Sequence, residues 1–194
     1  MTNPQNSQPT LADLRQQIDS LDEQLHTLIN QRAKCAQQVA EVKLDEEGAE
    51  AVFYRPEREA QVLRTVMERN QGPLSNEEIA RLFREIMSAC LALERPIKVA
   101  FLGPEGTFTQ QAALKHFGQS AITKPMAAID EVFREVEAGS VDYGVVPIEN
   151  STEGVISNTL DSFMDSGLQI CGEVVLRIHQ HLMVGDNTKA DKIS

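Results

Sequence analysis

Residues 10–43 read as one long helix, and three cations fall on or beside its apolar stripe. Leu11, Leu14, Ile18, Leu21, Leu25, Leu28, Ala36 and Val39 recur at spacings of three and four, which is the helical period. Arg32 continues the row Leu21, Leu25, Leu28; Lys43 continues Ala36, Val39; Arg15 stands beside the same stripe. A charge on a buried face is costly unless it is paired. Something anionic must therefore meet these three, from the protein or from a ligand. Thr10 with Asp13 spells a capping box at the start. A rod of this length measures about 50 Å. Two short neighbours do not cover a continuous stripe that long, so the helix asks for a second copy of the chain, a homodimer.

Two more helices follow. Residues 45–54 are acidic, contain Gly48 and read as a loop. Pro56 suits a first helical turn, and the helix it opens runs to about residue 70 with Val62, Leu63, Val66 and Met67 inward. Glu59 precedes Val62 and Leu63 by three and four residues and shares their face. Gln71-Gly72-Pro73 breaks the helix. Ser75 with Glu78 spells a second capping box. The third helix carries Ile79, Leu82, Phe83, Ile86, Met87, Cys90 and Leu91 inward, Glu94 extends that row, and Pro96 stops it. Long charged side chains can snorkel to water, and internal ion pairs can absorb some of the charge. Yet cations outnumber the inward carboxylates, and Arg58 adds another beside Glu59. Such a surplus is what a buried dianionic ligand needs.

The overall charge points the other way. At −11 over 194 residues, the chain is a poor partner for nucleic acid or an anionic membrane surface. A small anion answers to local cations instead. The three cysteines, Cys35, Cys90 and Cys171, are odd in number, far apart and in no metal spacing. They imply a reducing compartment, the cytoplasm, with the thiols as small core residues. No apolar run approaches the roughly 20 residues that span a bilayer. Residues 1–9 are polar, without the basic and apolar blocks of a signal peptide, and are expected to form a disordered tail.

After Pro96 the pattern changes. Residues 97–102 are a short apolar strand, Gly103-Pro-Glu-Gly-Thr-Phe-Thr109 a turn, and a helix follows through His116. A strand, a glycine turn and a helix start present backbone N–H groups to an anion. A weak strand near 121–123, a helix over 128–138 and a strand over 142–146 come next. Pro147-Ile-Glu-Asn-Ser-Thr-Glu-Gly154 reads as a polar loop before a helix through Asp165, and a strand is expected over 168–184. The alternation implies an α/β sandwich. His179 and His181 share one face of that last strand, with no Cys or Asp cluster to make a metal site of them.

The run from Leu11-Ala-Asp-Leu-Arg15 through Gln31-Arg32, Lys43, Arg55-Pro-Glu-Arg58-Glu59 and the closing helix resembles the all-helical class of chorismate mutase over residues 10–95. The resemblance implies an intertwined three-helix dimer whose long first helices span both active sites. It implies that Arg15 binds a substrate carboxylate in the partner's site, and that Arg32 binds the other carboxylate in its own. Lys43 would contact a carboxylate and the ether oxygen, Glu59 would accept from the substrate hydroxyl, and Arg58 would help position that network. Three positions depart from the family. Glu94 stands where a Gln often donates to the ether oxygen, Arg55 where Asp is common, and Cys90 where Ser is common. An ionised Glu cannot donate, so Glu94 must be protonated to assist. The reaction, chorismate to prephenate by a pericyclic shift, needs no cofactor and no metal.

Gly103-Pro-Glu-Gly-Thr-Phe-Thr and Val146-Pro-Ile-Glu-Asn-Ser-Thr-Glu-Gly together look like prephenate dehydratase. Behind a mutase they resemble the front of the bifunctional P-protein family of phenylalanine biosynthesis, in which prephenate leaves one site and is dehydrated and decarboxylated to phenylpyruvate at another. The implied fold is α + α/β: the helical mutase over 10–95, then part of a periplasmic-binding-protein-like domain over 97–194. Thr107, Glu149, Asn150, Ser151 and Glu153 would line its cleft. The family's Thr-Arg-Phe motif and its phenylalanine-binding ACT domain do not occur in these residues, so the dehydratase is expected to be incomplete and unregulated. A non-catalytic dimeric sensor built from the same parts, or another lyase or isomerase acting on a small dicarboxylate, are the competing readings.

Overall fold

A computed structural model describes residues 9–48, 51–150 and 154–179. Of the expected tail over 1–9, all but Pro9 lies outside the described residues. The first helix, α1 (Leu11–Glu47), opens with the expected capping box: Thr10 accepts from Asp13 N–H while the Asp13 carboxylate accepts from Thr10 N–H. It runs past Lys43 because Leu44 prolongs the pattern, and it ends where the Gly48 N–H returns to the Leu44 carbonyl at φ 62°. At 1.5 Å per residue it spans about 55 Å.

Helices α2 (Pro56–Arg69) and α3 (Asn76–Glu94) complete the helical half. Pro56 opens α2 as expected. The second capping box is only half formed: Ser75 accepts from Glu78 N–H, without the reciprocal bond that α1 has. Leu63 and Cys90 are buried as expected, but Leu82 faces outward. Only the last turns of α1 find cover in their own chain, where Ala40 is buried and α1 packs on α3. From Leu11 to Gln31 every residue is exposed. Leu11, Leu14, Ile18, Leu21, Leu25 and Leu28 are 42–64% exposed. Burying one such side chain is worth about 1.5–3 kcal/mol, so the strip in sum rivals the whole stability of a domain, about 5–15 kcal/mol.

The second half is built on β1 (Lys98–Leu102), the centre of a three-stranded parallel sheet. Beside it lie β2 (Ile122–Met126), in register from Lys98↔Ile122 to Leu102↔Met126, and β3 (Tyr143–Val145), from Val99↔Tyr143 to Phe101↔Val145. Val99, Ala100 and Phe101 are fully buried, as the central strand of a parallel sheet covered on both faces requires. Helix α4 (Phe108–Phe117) joins β1 to β2, and α5 (Ile129–Glu137) joins β2 to β3. The strand β2 is longer than its sequence suggests. Pro125 argues against a central strand, but at a sheet edge its missing N–H costs nothing.

The two faces have separate cores. On one, Ile97, Val99, Ala113 and Phe117 pack with Tyr54 and Leu91 of the helical half; on the other, Ala100, Met126, Val132 and Val141 pack together. The loop over 147–154 is not wholly irregular: β4 (Glu149–Asn150) and β5 (Gly154–Val155) pair antiparallel before α6 (Ser157–Asp165). The strand expected over 168–184 is not formed in its described part, 168–179. That segment passes the half-buried His116 and Lys115, whose Nζ donates to the Val175 carbonyl at 2.8 Å. Its apolar residues Ile170 and Val175 are largely exposed, so no sheet edge recruits it. His179 is exposed there, and His181 lies outside the described residues.

The halves meet at a tight junction. Asp142 accepts from Arg95 Nη2 at 2.6 Å and from Lys98 N–H at 2.8 Å. Glu85 accepts from Gln119 N–H at 3.0 Å. Gly118 caps α4 at φ 82°, and any Cβ there would overlap the Ser88 side chain of α3. Gly118→Ala is expected to cost about 2–4 kcal/mol in urea denaturation, from backbone strain plus overpacking. Gly139→Ala, at φ 68° with open space around it, should cost only about 1 kcal/mol.

Candidate active site

The second half of α1 and the end of α3 hold three of the expected mutase residues, with Arg32 and Lys43 near enough to act on Glu94. Arg32 and Lys43 are half-buried on α1, and Glu94 is the last residue of α3. Burial raises the Glu94 carboxyl above its ordinary range, against the opposing pull of Lys43 and Arg32. Cys90, one turn earlier on α3, is buried behind it. Lys43 is held by the linker that follows α1: its Nζ donates to the Val52 carbonyl at 2.9 Å and the Phe53 carbonyl at 3.4 Å, and lies 5.6 Å from the Phe53 ring centre. An ammonium has three donors, so one remains for a ligand.

Arg15 stands apart. It is exposed and lies about 25 Å along the helix from Arg32 and about 40 Å from Lys43. Within its own chain it cannot join them. Arg58 is exposed, with Nη1 donating to Gln61 Oε1 at 2.7 Å, and Arg55 reaches back to Glu47 at 3.6 Å. Those contacts tie the start of α2 to itself and to the end of α1.

Glu59 has a different neighbourhood from the one its stripe suggests. Arg84 Nε donates to Glu59 Oε1 at 3.2 Å. Tyr54 stands beside it, its phenol pushed far up by burial and then by the Glu59 charge. His116 is close enough to respond to both members of the pair, though burial is what chiefly lowers it. Arg84, Tyr54 and His116 were not legible as a group. Arg84 follows Ala80 and precedes Ser88 on α3, and only the packing of α2 on α3 turns it toward Glu59.

In the second half both motif loops leave the carboxyl end of the sheet. The first follows β1 and the second follows β3, and these strands are neighbours. Strand order β2-β1-β3 makes this the crevice where connections diverge to opposite sides, the usual ligand position in such sheets. Thr107 caps α4: its Oγ1 accepts from Gln110 N–H at 3.4 Å and donates to the Leu102 carbonyl at 3.2 Å. Its one hydroxyl hydrogen is therefore committed. Gln110 Oε1 accepts from Gly106 N–H at 2.6 Å, which removes one of the backbone donors expected to face an anion. The signal for Gln110 was present, since Thr107-x-x-Gln110 has the spacing of a capping box. Glu149 is exposed on β4, Asn150 sits beside it in the strand, and Ser151 and Glu153 lie outside the described residues. A cleft of about 510 Å³ opens between Leu102, the start of α5 and α6, with Asp130 and Asp161 on its wall. Neither Thr107 nor Glu149 lines it.

Of the three cysteines, Cys90 is a core residue as expected, while Cys35 and Cys171 are exposed; all are free thiols. Among the described residues no three His, Cys, Asp or Glu side chains gather as a metal site, and no helix is long and apolar enough to cross a membrane.

Residues 14–95 match the family model for chorismate mutase type II, and residues 99–194 match that for prephenate dehydratase. A bifunctional chorismate mutase/prephenate dehydratase of Stutzerimonas stutzeri is 67% identical over 95% of this chain and 51% of that protein. One from Pseudomonas aeruginosa is 66% identical over 96% and 52%. The chain thus spans about half the length of the curated relatives it matches. A solved form II chorismate mutase from Thermus thermophilus is 32% identical over 42% of this chain and 89% of that chain, with a TM-score of 0.39.

The junction of Arg32, Lys43 and Glu94 has a checkable electrostatic consequence. Because Lys43 pulls Glu94 down, Lys43→Met should move the Glu94 carboxyl still higher, read by carbon NMR titration. The folded chain binds this proton more tightly than the unfolded one, so stability falls as pH rises through the Glu94 titration. Glu94→Gln should remove that slope.

Proposed function

The chain belongs to the bifunctional chorismate mutase/prephenate dehydratase family, and from that premise we propose that residues 10–95 rearrange chorismate to prephenate in a homodimer. The observation that carries this reading is the pair of half-buried cations, Arg32 and Lys43, that both act on the Glu94 carboxyl. A pericyclic shift needs no nucleophile and no cofactor. It needs the substrate held in a folded conformer and charge stabilised on the breaking ether oxygen. Arg32 holds one carboxylate through its fork of N–H donors. The free hydrogen of Lys43 serves the ether oxygen, while its charge faces a carboxylate. A protonated Glu94 donates to the same oxygen, and its upward shift favours that form. Glu59 accepts from the substrate hydroxyl, with Arg58 at the mouth and Cys90 behind.

The second carboxylate requires Arg15, which its own chain keeps too distant. A second copy solves two problems at once: it supplies Arg15 in trans and covers the exposed strip of α1. A continuous apolar strip of that size is itself a mark of an interface. The motif loops of the second half support a share in binding prephenate, with Thr107, Glu149, Asn150, Ser151 and Glu153 as contacts. Thr107 contributes as an acceptor or through its backbone, because its hydroxyl hydrogen is in use. Three free thiols suit a reducing cytoplasm.

Chorismate consumption with appearance of prephenate tests the reading directly. Lys43→Ala is expected to lower kcat about 10²–10³-fold and to leave KM less affected. A rise in KM alone would remove Lys43 from the transition state. Chains bearing Arg15→Ala and Arg32→Ala, each inactive alone, are expected to recover about a quarter of wild-type activity on equal mixing. In the mixed dimer, one site of the two has both arginines. No recovery despite exchange of labelled subunits would exclude the shared site.

A further inference from the structure

This inference rests on the reading above, in which Glu59 accepts the substrate hydroxyl. The structure surrounds that carboxylate from three elements. From α3, Arg84 Nε reaches Glu59 Oε1 at 3.2 Å, with the two side chains only 29% and 17% exposed. From the linker, Tyr54 lies against the pair with its ring 5.7 Å from Phe117 and 5.4 Å from Tyr143. From α4, His116 stands edge-on to Phe117 at 4.7 Å. Glu59 therefore sits where the helical half meets the sheet half.

A carboxylate that accepts a hydroxyl must point at it. Glu has three rotatable bonds, and ordering them is costly. An arginine nitrogen on one carboxylate oxygen fixes the group, and a carboxylate keeps acceptor lone pairs beyond those that Arg84 and the Tyr54 hydroxyl use. Arg84 does this from a neighbouring helix, and the charge-assisted bond is stronger for being half-buried. The Glu59 side chain is only 17% exposed, so little water competes for it. Tyr54 and His116 both come from, or lean on, the aromatic cluster with Phe117 and Tyr143, which belongs to the second half.

We propose that Arg84 is a positioning residue for Glu59, and that Tyr54 and His116 complete its setting, so that the sheet half of the chain takes part in building the mutase site. An arrangement of this kind makes substrate binding in the first half respond to packing in the second.

The groups facing each probe are few. His116 faces Glu59 of α2 and Arg84 of α3. Tyr54 faces Glu59, Tyr143 of β3 and Cys171 beyond α6. Burial lowers the His116 imidazole, Glu59 raises it, and Arg84 lowers it. Two measurements on the full chain test the proposal. In kinetics, Arg84→Met is expected to raise KM for chorismate about tenfold with kcat changed less than about threefold, and Arg84→Lys to restore part of the loss. In a Glu59→Gln background the same Arg84→Met should add less than about twofold, because coupled residues are not additive. In NMR titration, the His116 ring should titrate higher in Arg84→Met, which removes a repelling cation, and lower in Glu59→Gln, which removes an attracting anion. Full multiplication of the two losses, or a His116 titration unmoved in both variants, overturns the proposal. Should Arg84→Met fail to fold, Arg84→Gln replaces it in both measurements. If the wild-type chain turns over no chorismate, the parent reading falls while the NMR shifts still decide the Arg84–Glu59–His116 arrangement.

Discussion

One helix carries more apolar surface than its own chain can cover, and the rest of the molecule is arranged around that excess. The last turns of α1 lie on α3, where Ala40 is buried and Lys43 and Arg32 approach Glu94. The preceding twenty or so residues lie beyond the reach of α2 and α3, which are 14 and 19 residues long. Water is a poor neighbour for six leucine and isoleucine side chains in a row. The same geometry separates Arg15 from the other cations. In the proposed dimer, one event, the arrival of a second α1, would satisfy both hydrophobic burial and assembly of the cationic site.

The second constraint is the junction between the halves. Tyr54, Phe117 and Tyr143 form a cluster with ring centres 5.0–5.7 Å apart, and offset or edge-on aromatic contacts of this kind add to simple burial. Gly118 lets α4 end directly on Ser88. Asp142 then closes the chain between Arg95 and Lys98. Because the sheet uses Tyr54 and Leu91 to cover one face, the helical half serves as part of the core of the α/β half. Residues near that contact, Glu59 among them, answer to both.

Much of this was legible residue by residue. Period and caps gave α1, and Pro56 gave the start of α2. An unbroken apolar run gave β1, because a parallel central strand is buried on both faces. Arg32, Lys43 and Glu94 stood out as charges on greasy stripes, and both cations lie near enough to act on the Glu94 carboxyl. Other readings failed where a local pattern was answered by a distant partner. Leu82 continues the α3 row but stays 41% exposed. Residues 168–179 carry strand-forming side chains but find no edge. Cys35 and Cys171 read as core residues and are exposed.

The sequence by itself determined where the helices and β1 form and which residues line most of their apolar faces. These are local properties, set by spacing and by the chemistry of single side chains. Only the tertiary structure decided which charges meet. The 3.6-residue period places Glu59 on a stripe, but the angle at which α2 crosses α3 hands it to Arg84. The parallel register of β1 with β3 brings two motif loops, far apart in the chain, to one end of the sheet. Partners across helices are chosen by packing, and packing depends on every element at once.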